Sequence, residues 1–462
     1  MVNAIPPKIK SIENMVKRSI AKTKRQTSPA CPTCFVTLWM SFFFDGTGNH
    51  RERDFPKSHS NIAALYDAHL DDEDDGVIRR YYEGLGTPFE FQDRYEKRRV
   101  RIDHGIYTEV EDIGYKEDGN SVLGSAVAAG ITERLEKATF DLLRAIELFR
   151  TRNKLHEINL AAFGFSRGAT EARVFMHWLA GSEKITKEGN KLRYEGIPLN
   201  IKFLGIFDTV ESVGLPADNK MPELIKTTIP PYVERCTHIV AANELRHAFS
   251  LTVGDGKTRH IVYPGSHADV GGGYGRLEQG RPNTLARVAL LQMLHEARGA
   301  GLKMRSVDEM KASKGWEDLF ALSFDVPEAA IKTLTQYIAA VKPSGSVQTH
   351  FEAHSKQYWA WIDSGLAKSD ADTKAKSPQY ATNAKSLQTM SLLLGLQART
   401  STGKGEIGTT PNANMVLPAT RELFSNYVHD SFEHFSAAGG PLQMDTSTAD
   451  YYKIRPLLKP TA

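Results

Sequence analysis

The chain has 462 residues, a length for about three average domains or fewer large ones, and sets 58 Lys and Arg against 55 Asp and Glu, for a formal net charge of +3. That near-balance speaks against a nucleic-acid binder held by a basic face, while 41% hydrophobic and 24% charged residues match ordinary globular usage with enough apolar residues for a sizeable core. No apolar run approaches the roughly 20 residues needed to span a bilayer.

Residues 1–34 carry Lys8, Lys10, Lys17, Arg18, Lys22, Lys24 and Arg25 against Glu13, with no apolar core of a signal peptide behind them. They read as a solvated basic arm, with docking or membrane-surface contact as the sharper alternative. Cys31-Pro32-Thr33-Cys34 is a single C-x-x-C without a second ligand pair, so neither zinc nor redox work is expected of it. Three cysteines fit folding in a reducing cytoplasm. Residues 35–44 are apolar, aromatic and β-branched, and predict a buried strand. The acidic run from Asp71 to Gly76 fails as an EF-hand loop, because its third position is Glu73 and its twelfth is Tyr82.

Helical spacing over 124–150 is followed by a strand at 158–163, a helix at 169–180, a strand at 201–207, a strand at 260–263 and a helix at 284–300. Strands alternating with helices predict an α/β fold with a largely parallel sheet flanked by helices. From 306 to 404 strand signals vanish, which predicts a helical insertion or cap. Two clusters there, Leu387, Met390, Leu392, Leu393, Leu394 and Leu396, and Tyr358, Trp359 and Trp361, are candidates for a lipid-contacting surface. The competing reading makes both of them core of the cap. Gly403 to Gly408 matches G-x-G-x-x-G by letter, but neither follows a strand nor opens a helix, so no dinucleotide site is expected. The expected organisation is an arm at 1–34, a core at 35–305, the insertion at 306–404, and completion of the core by 405–462.

Gly164-Phe165-Ser166-Arg167-Gly168 differs from these failed motifs in its context: a strand enters this G-x-S-x-G and a helix leaves it. A serine on such an elbow is exposed as a nucleophile, and the helix start favours developing negative charge. Serine needs a base, and the base needs an orienting carboxylate. Asp208, at the end of the next predicted strand, is the candidate acid. Gly46 and Thr47 in the turn Asp45-Gly46-Thr47-Gly48-Asn49, with the Arg167 N–H, are the candidate oxyanion donors.

With these residues assembled, the chain resembles the α/β-hydrolase domain of bacterial type VI secretion lipase effectors of the first, GxSxG-bearing family. The resembling segments are Phe43–Asn49, Ser60–Ile62, Tyr81–Thr87, Gly164–Gly168, Phe207–Val210, Tyr263–Tyr274 and Tyr427–Ser431. The resemblance implies a phospholipase A, of A1 or A2 type, acting as an antibacterial toxin on membrane phospholipid. It also implies a cognate immunity protein, a spike or adaptor for loading, and delivery from the producing cytoplasm into a target-cell periplasm with peripheral membrane contact. No cofactor, metal or nucleic acid is expected. A housekeeping esterase on small esters and a non-enzymatic binder on a hydrolase scaffold are the alternatives. The resemblance carries residues at both candidate bases. Position after the insertion puts Ser166, Asp208 and His429 first, and the alternative uses His267 as base, with Asp269 as a second possible acid.

Overall fold

The computed structural model describes residues 9–23, 35–87, 89, 95–101, 107–113, 124–211, 226–246, 249–373, 414, 416–431 and 454–461. Its strands are β1 (Phe35–Phe44), β2 (Val77–Tyr82), β3 (Tyr95–Arg101), β4 (Tyr107–Ile113), β5 (Lys154–Phe165), β6 (Ile185–Glu188), β7 (Lys191–Tyr194), β8 (Ile197–Phe207), β9 (Cys236–Ala241), β10 (Leu251–Thr252), β11 (Thr258–Tyr263) and β12 (Leu457–Leu458). The main sheet runs β11-β9-β8-β5-β1-β2, every one of these pairs parallel, with β6 and β7 added antiparallel beside β8. Parallel pairing brings the carboxyl ends of five strands to one edge, where Asp45, Ser166, Asp208, Asn243 and Gly265 follow within two residues of a strand end.

The helices are α1 (Ile9–Thr23), α2 (Arg51–Asp54), α3 (Asn61–Ala68), α4 (Gly124–Arg152), α5 (Arg167–Leu179), α6 (His267–Gly271), α7 (Thr284–Gly299), α8 (Val307–Ala312), α9 (Glu317–Leu319), α10 (Glu328–Val341), α11 (Val347–Asp363), α12 (Leu366–Thr373) and α13 (Pro418–Asn426). Strand side chains alternate between the two faces of the sheet. Phe42, Phe44, Leu160, Ala162, Leu204 and Ile206 meet the side chains of α4 and α5 on one face. Phe43, Ala161, Phe163, Phe203 and Phe207 meet those of α3 and α7 on the other. Both faces are covered, which is why the strand sequences are continuous apolar runs rather than alternating ones.

Three expectations need correction or limits. Residues 9–23 are not a solvated arm: Ile12, Met15 and Val16 are buried in the core beside α4, at the spacing of one helix face, and Ser182 donates to Glu13 at 3.1 Å. Tyr358, Trp359 and Trp361 are not a lipid surface. They are 4%, 1% and 2% exposed and pack with Tyr337, Leu423 and Phe424 of α10 and α13. The leucine cluster at 387–396, Cys31, Cys34 and the Gly403–Gly408 loop lie outside the described residues. Among the described residues from 306 to 373 there are helices and no strand. The tail returns to the body of the fold, where β12 pairs with β10 in a separate two-stranded sheet and Thr461 bonds to Thr227.

Candidate active site

Ser166 stands between β5 and α5 with φ 58° and ψ −123°, a conformation that costs a non-glycine residue about 1–3 kcal/mol and persists only where the surroundings enforce it. The enforcement is visible. Ser166 donates its N–H to Phe207 O at 3.1 Å and its carbonyl accepts from Val210 N at 3.3 Å. A Cβ at Gly164 would lie 2.3 Å from Gly168 O, and one at Gly168 would lie 2.3 Å from both Phe44 O and Asp45 O. Both glycines of the motif are therefore needed for close backbone approach.

Asp208 follows β8, and the register Phe165↔Phe207 sets it directly beside the elbow. Its carboxylate is fully buried. Oδ1 accepts from Ala241 N at 2.8 Å and Arg455 Nη1 at 2.6 Å, and Oδ2 meets His267 Nδ1 at 2.5 Å. Burial alone would raise its pKa, but the Arg455 guanidinium and the His267 bond outweigh it and hold the carboxyl well below the usual carboxylate range. An ionised carboxylate only accepts, so His267 donates from Nδ1 and its Nε2 keeps the lone pair. Burial pushes the His267 pKa down against the pull of Asp208. The ring sits 4.5 Å from the Phe165 ring and 5.0 Å from that of Phe249, while its backbone N–H donates to Glu244 Oε2 at 3.2 Å. Glu244 is itself paired with Arg246 at 2.8 Å.

The structure thus joins Asp208 to His267, not to His429. His429 belongs to a second pair: Nδ1 meets Asp269 Oδ1 at 2.6 Å and its N–H donates to Asp269 Oδ2 at 3.0 Å. Its side chain is 0% exposed and stacks on Tyr274 with ring centroids 4.2 Å apart. Asp269, expected as an alternative acid for the base, instead caps α6 through Ser266 and holds His429. Chain order alone favoured His429; the carboxylate at the end of β8 selects the histidine that follows β11, because both strand ends lie on the same edge.

The oxyanion candidates divide as well. Gly46 gives its N–H to Asp45 Oδ1 at 2.7 Å and is not available as a donor. Thr47 lies in the same loop, and the Arg167 N–H opens α5, where a first-turn N–H has no intrahelical acceptor. Asp45 holds this loop in place: it accepts from Ser60 Oγ at 2.6 Å, Tyr81 Oη at 2.5 Å and Asn49 Nδ2 at 3.1 Å. Burial raises its pKa despite these donors.

Sequence reasoning missed Arg455 and Glu244. Neither sits in a recognisable motif, and Arg455 reaches Asp208 from 247 positions away. Ser60 and Tyr81 lay in resembling segments, but without an assigned role. A cavity of about 280 Å³ beside β2, lined by Arg51, Arg79, Arg80, Tyr81, Lys137 and Asp141, does not include Ser166 in its lining, and its cations are engaged with Asp67, Asp141, Glu73 and backbone carbonyls.

A parallel sheet with a strained serine elbow, an acid after the next strand and a histidine after a later one defines an α/β-hydrolase. Residues 40–195 and 180–296 match the family described as type VI secretion system, phospholipase effector Tle1-like, catalytic domain. These ranges span more than half of the chain, and the protein belongs to that family: it is a type VI secretion phospholipase effector. No curated protein sequence matches it. Among solved structures, an uncharacterized protein from Pseudomonas aeruginosa is similar over 92% of this chain and 67% of its own, with 20% identity and a TM-score of 0.52, a likeness of fold. A structure of the Tle1 effector bound to the VgrG spike from the type VI secretion system aligns over 71% of this chain and 85% of its own, with 18% identity and a TM-score of 0.43. Among the described residues, no helix is long and apolar enough to cross a membrane.

Proposed function

We propose that the protein is a phospholipase A that uses Ser166 as nucleophile, His267 as base and Asp208 as orienting acid. The observation that carries this reading is the Asp208–His267 pair beside a serine held at positive φ. Ser166 Oγ attacks an acyl carbonyl of the phospholipid as its proton passes to His267 Nε2. The oxyanion accepts from the N–H groups of Arg167 and Thr47. The ester C–O bond breaks, His267 returns the proton to the departing glycerol oxygen, and a lysophospholipid leaves. Water, deprotonated by His267, then releases the fatty acid from Ser166. Throughout, Asp208 holds the ring and balances the imidazolium charge; Arg455 keeps Asp208 ionised.

Family membership supports delivery through a spike or adaptor, action in a target-cell periplasm as an antibacterial toxin, and a cognate immunity protein in the producer. Phospholipid vesicles incubated with wild type, Ser166→Ala and His267→Ala test the reading, with lysophospholipid and fatty acid identified. Release by wild type alone supports it, and the acyl chain released assigns A1 or A2. Hydrolysis of small soluble esters without vesicle hydrolysis would make the protein an esterase, and equal activity of Ser166→Ala would end the serine mechanism.

A further inference from the structure

The second histidine–carboxylate pair has no place in the mechanism above, yet it is as closely built as the first. We infer that His429 and Asp269 form a latch by which the late segment after α13 holds the short helix bearing His267 in register with Ser166. This rests on His267 being the base. Asp269 and His267 are two residues apart on α6, and Asp269 Oδ2 accepts both Ser266 N at 3.0 Å and Ser266 Oγ at 3.1 Å. The other side of the same carboxylate is taken by His429, through Nδ1 at 2.6 Å, while its N–H shares Oδ2 at 3.0 Å.

Neighbouring contacts fasten the late segment to the stretch that follows α6. Asp430 N donates to Gln279 Oε1 at 2.7 Å and Gln279 Nε2 donates to Asp430 O at 2.8 Å. Tyr274 stacks on His429 while its hydroxyl meets Ser266 Oγ at 3.1 Å. The α6 helix has only five residues, too few to be rigid by itself, so its position depends on what is tied to its ends. One end is set by Glu244 on the His267 N–H, and the side facing the late segment is set by Asp269. The His429 side chain is closed off from the surface. Its Nε2 is buried and makes no hydrogen bond. Its donor Nδ1, not Nε2, does the holding, and His429 is a positioning residue.

The geometry distinguishes substitutions at one position. The amide nitrogen of asparagine sits at the distance of Nδ1 from Cβ, whereas that of glutamine reaches the place of Nε2. With a soluble short-chain ester, His429→Ala and His429→Gln are expected to lose about 10²-fold in kcat, as a misplaced catalytic group does, with KM within about twofold. His429→Asn is expected to recover most of kcat. The double variant His429→Ala with Asp269→Asn should be no worse than the weaker single variant, because both remove one interaction. If His429→Ala does not fold, Asn against Gln carries the test unaided. Unchanged kcat in folded His429→Ala or His429→Gln, with His267→Ala inactive, overturns the latch and leaves the triad standing. His429→Ala as inactive as Ser166→Ala, with His267→Ala active, overturns the triad and the latch together.

Discussion

Among the described residues, two buried histidines are each held through Nδ1 by an aspartate at about the same distance, and the two differ in what surrounds them. At the His267 pair, Asp208 is matched by the Arg455 guanidinium, and the ring lies against the residue that precedes Ser166. At the His429 pair, the partners of Asp269 among the described residues are N–H and O–H groups, and the ring stacks on Tyr274. On the proposed mechanism, a histidine–aspartate bond is therefore not a catalytic signature by itself. What separates the two is the edge of the sheet: one pair is built on strand ends shared with the nucleophile, and the other joins a short helix to a late segment.

The comparison breaks first on activity. Ser166→Ala and His267→Ala are each expected to lower kcat by on the order of 10⁶, whereas His429→Ala falls far less. Equal losses at the two histidines, measured on one soluble ester, would erase the distinction.

Arg455→Met tests the charge at the first pair. Removing one partner leaves the Asp208 carboxylate buried and poorly compensated, so unfolding in urea should show a loss of about 3–5 kcal/mol. A loss under about 1 kcal/mol would mean that the tail does not hold Asp208. Among the described residues, no Lys or Arg forms an ion pair with Asp269.

The pH dependence of kcat/KM sharpens the comparison further. A base works unprotonated, so activity is present above its folded pKa and lost as pH falls through it. Burial lowers the His267 pKa; Asp208 and Glu244 oppose this, while Arg246 adds to it. The acid limb is therefore expected below the ordinary imidazole value of about 6.5. A midpoint above that value would show that a different group sets the limb. The smallest effect is expected at Tyr274→Phe, which keeps the stack on His429 and removes one hydroxyl bond to Ser266. Stability should change by about 1 kcal/mol and kcat by under about threefold. A loss as large as that of His429→Ala would show that the hydroxyl, not the ring nitrogen, fastens α6.

The strand 35–44, the elbow and the acid at 208 were legible because each depends on local signals: an apolar run, glycines at close approach, and a carboxylate at a strand end. The helix at 9–23 was misjudged because four of its five charges are basic and continue the basic run on either side, while Ile12, Met15 and Val16 on one face are enough to dock it. Tyr358, Trp359 and Trp361 could equally have lain on a membrane or in a core. A neighbouring α13 supplies Leu423 and Phe424 to cover them, and nothing in the cluster itself announces that partner.

The sequence by itself determined the alternation of elements, the serine elbow and the family, since these rest on periodicity and on short motifs whose spacing is fixed by the backbone. The tertiary structure decided which aspartate meets which histidine, that Gly46 N–H is spent on Asp45, and that Arg455 closes the site. Those are distances between segments far apart in the chain, and only the shared edge of a parallel sheet brings them within hydrogen-bond range.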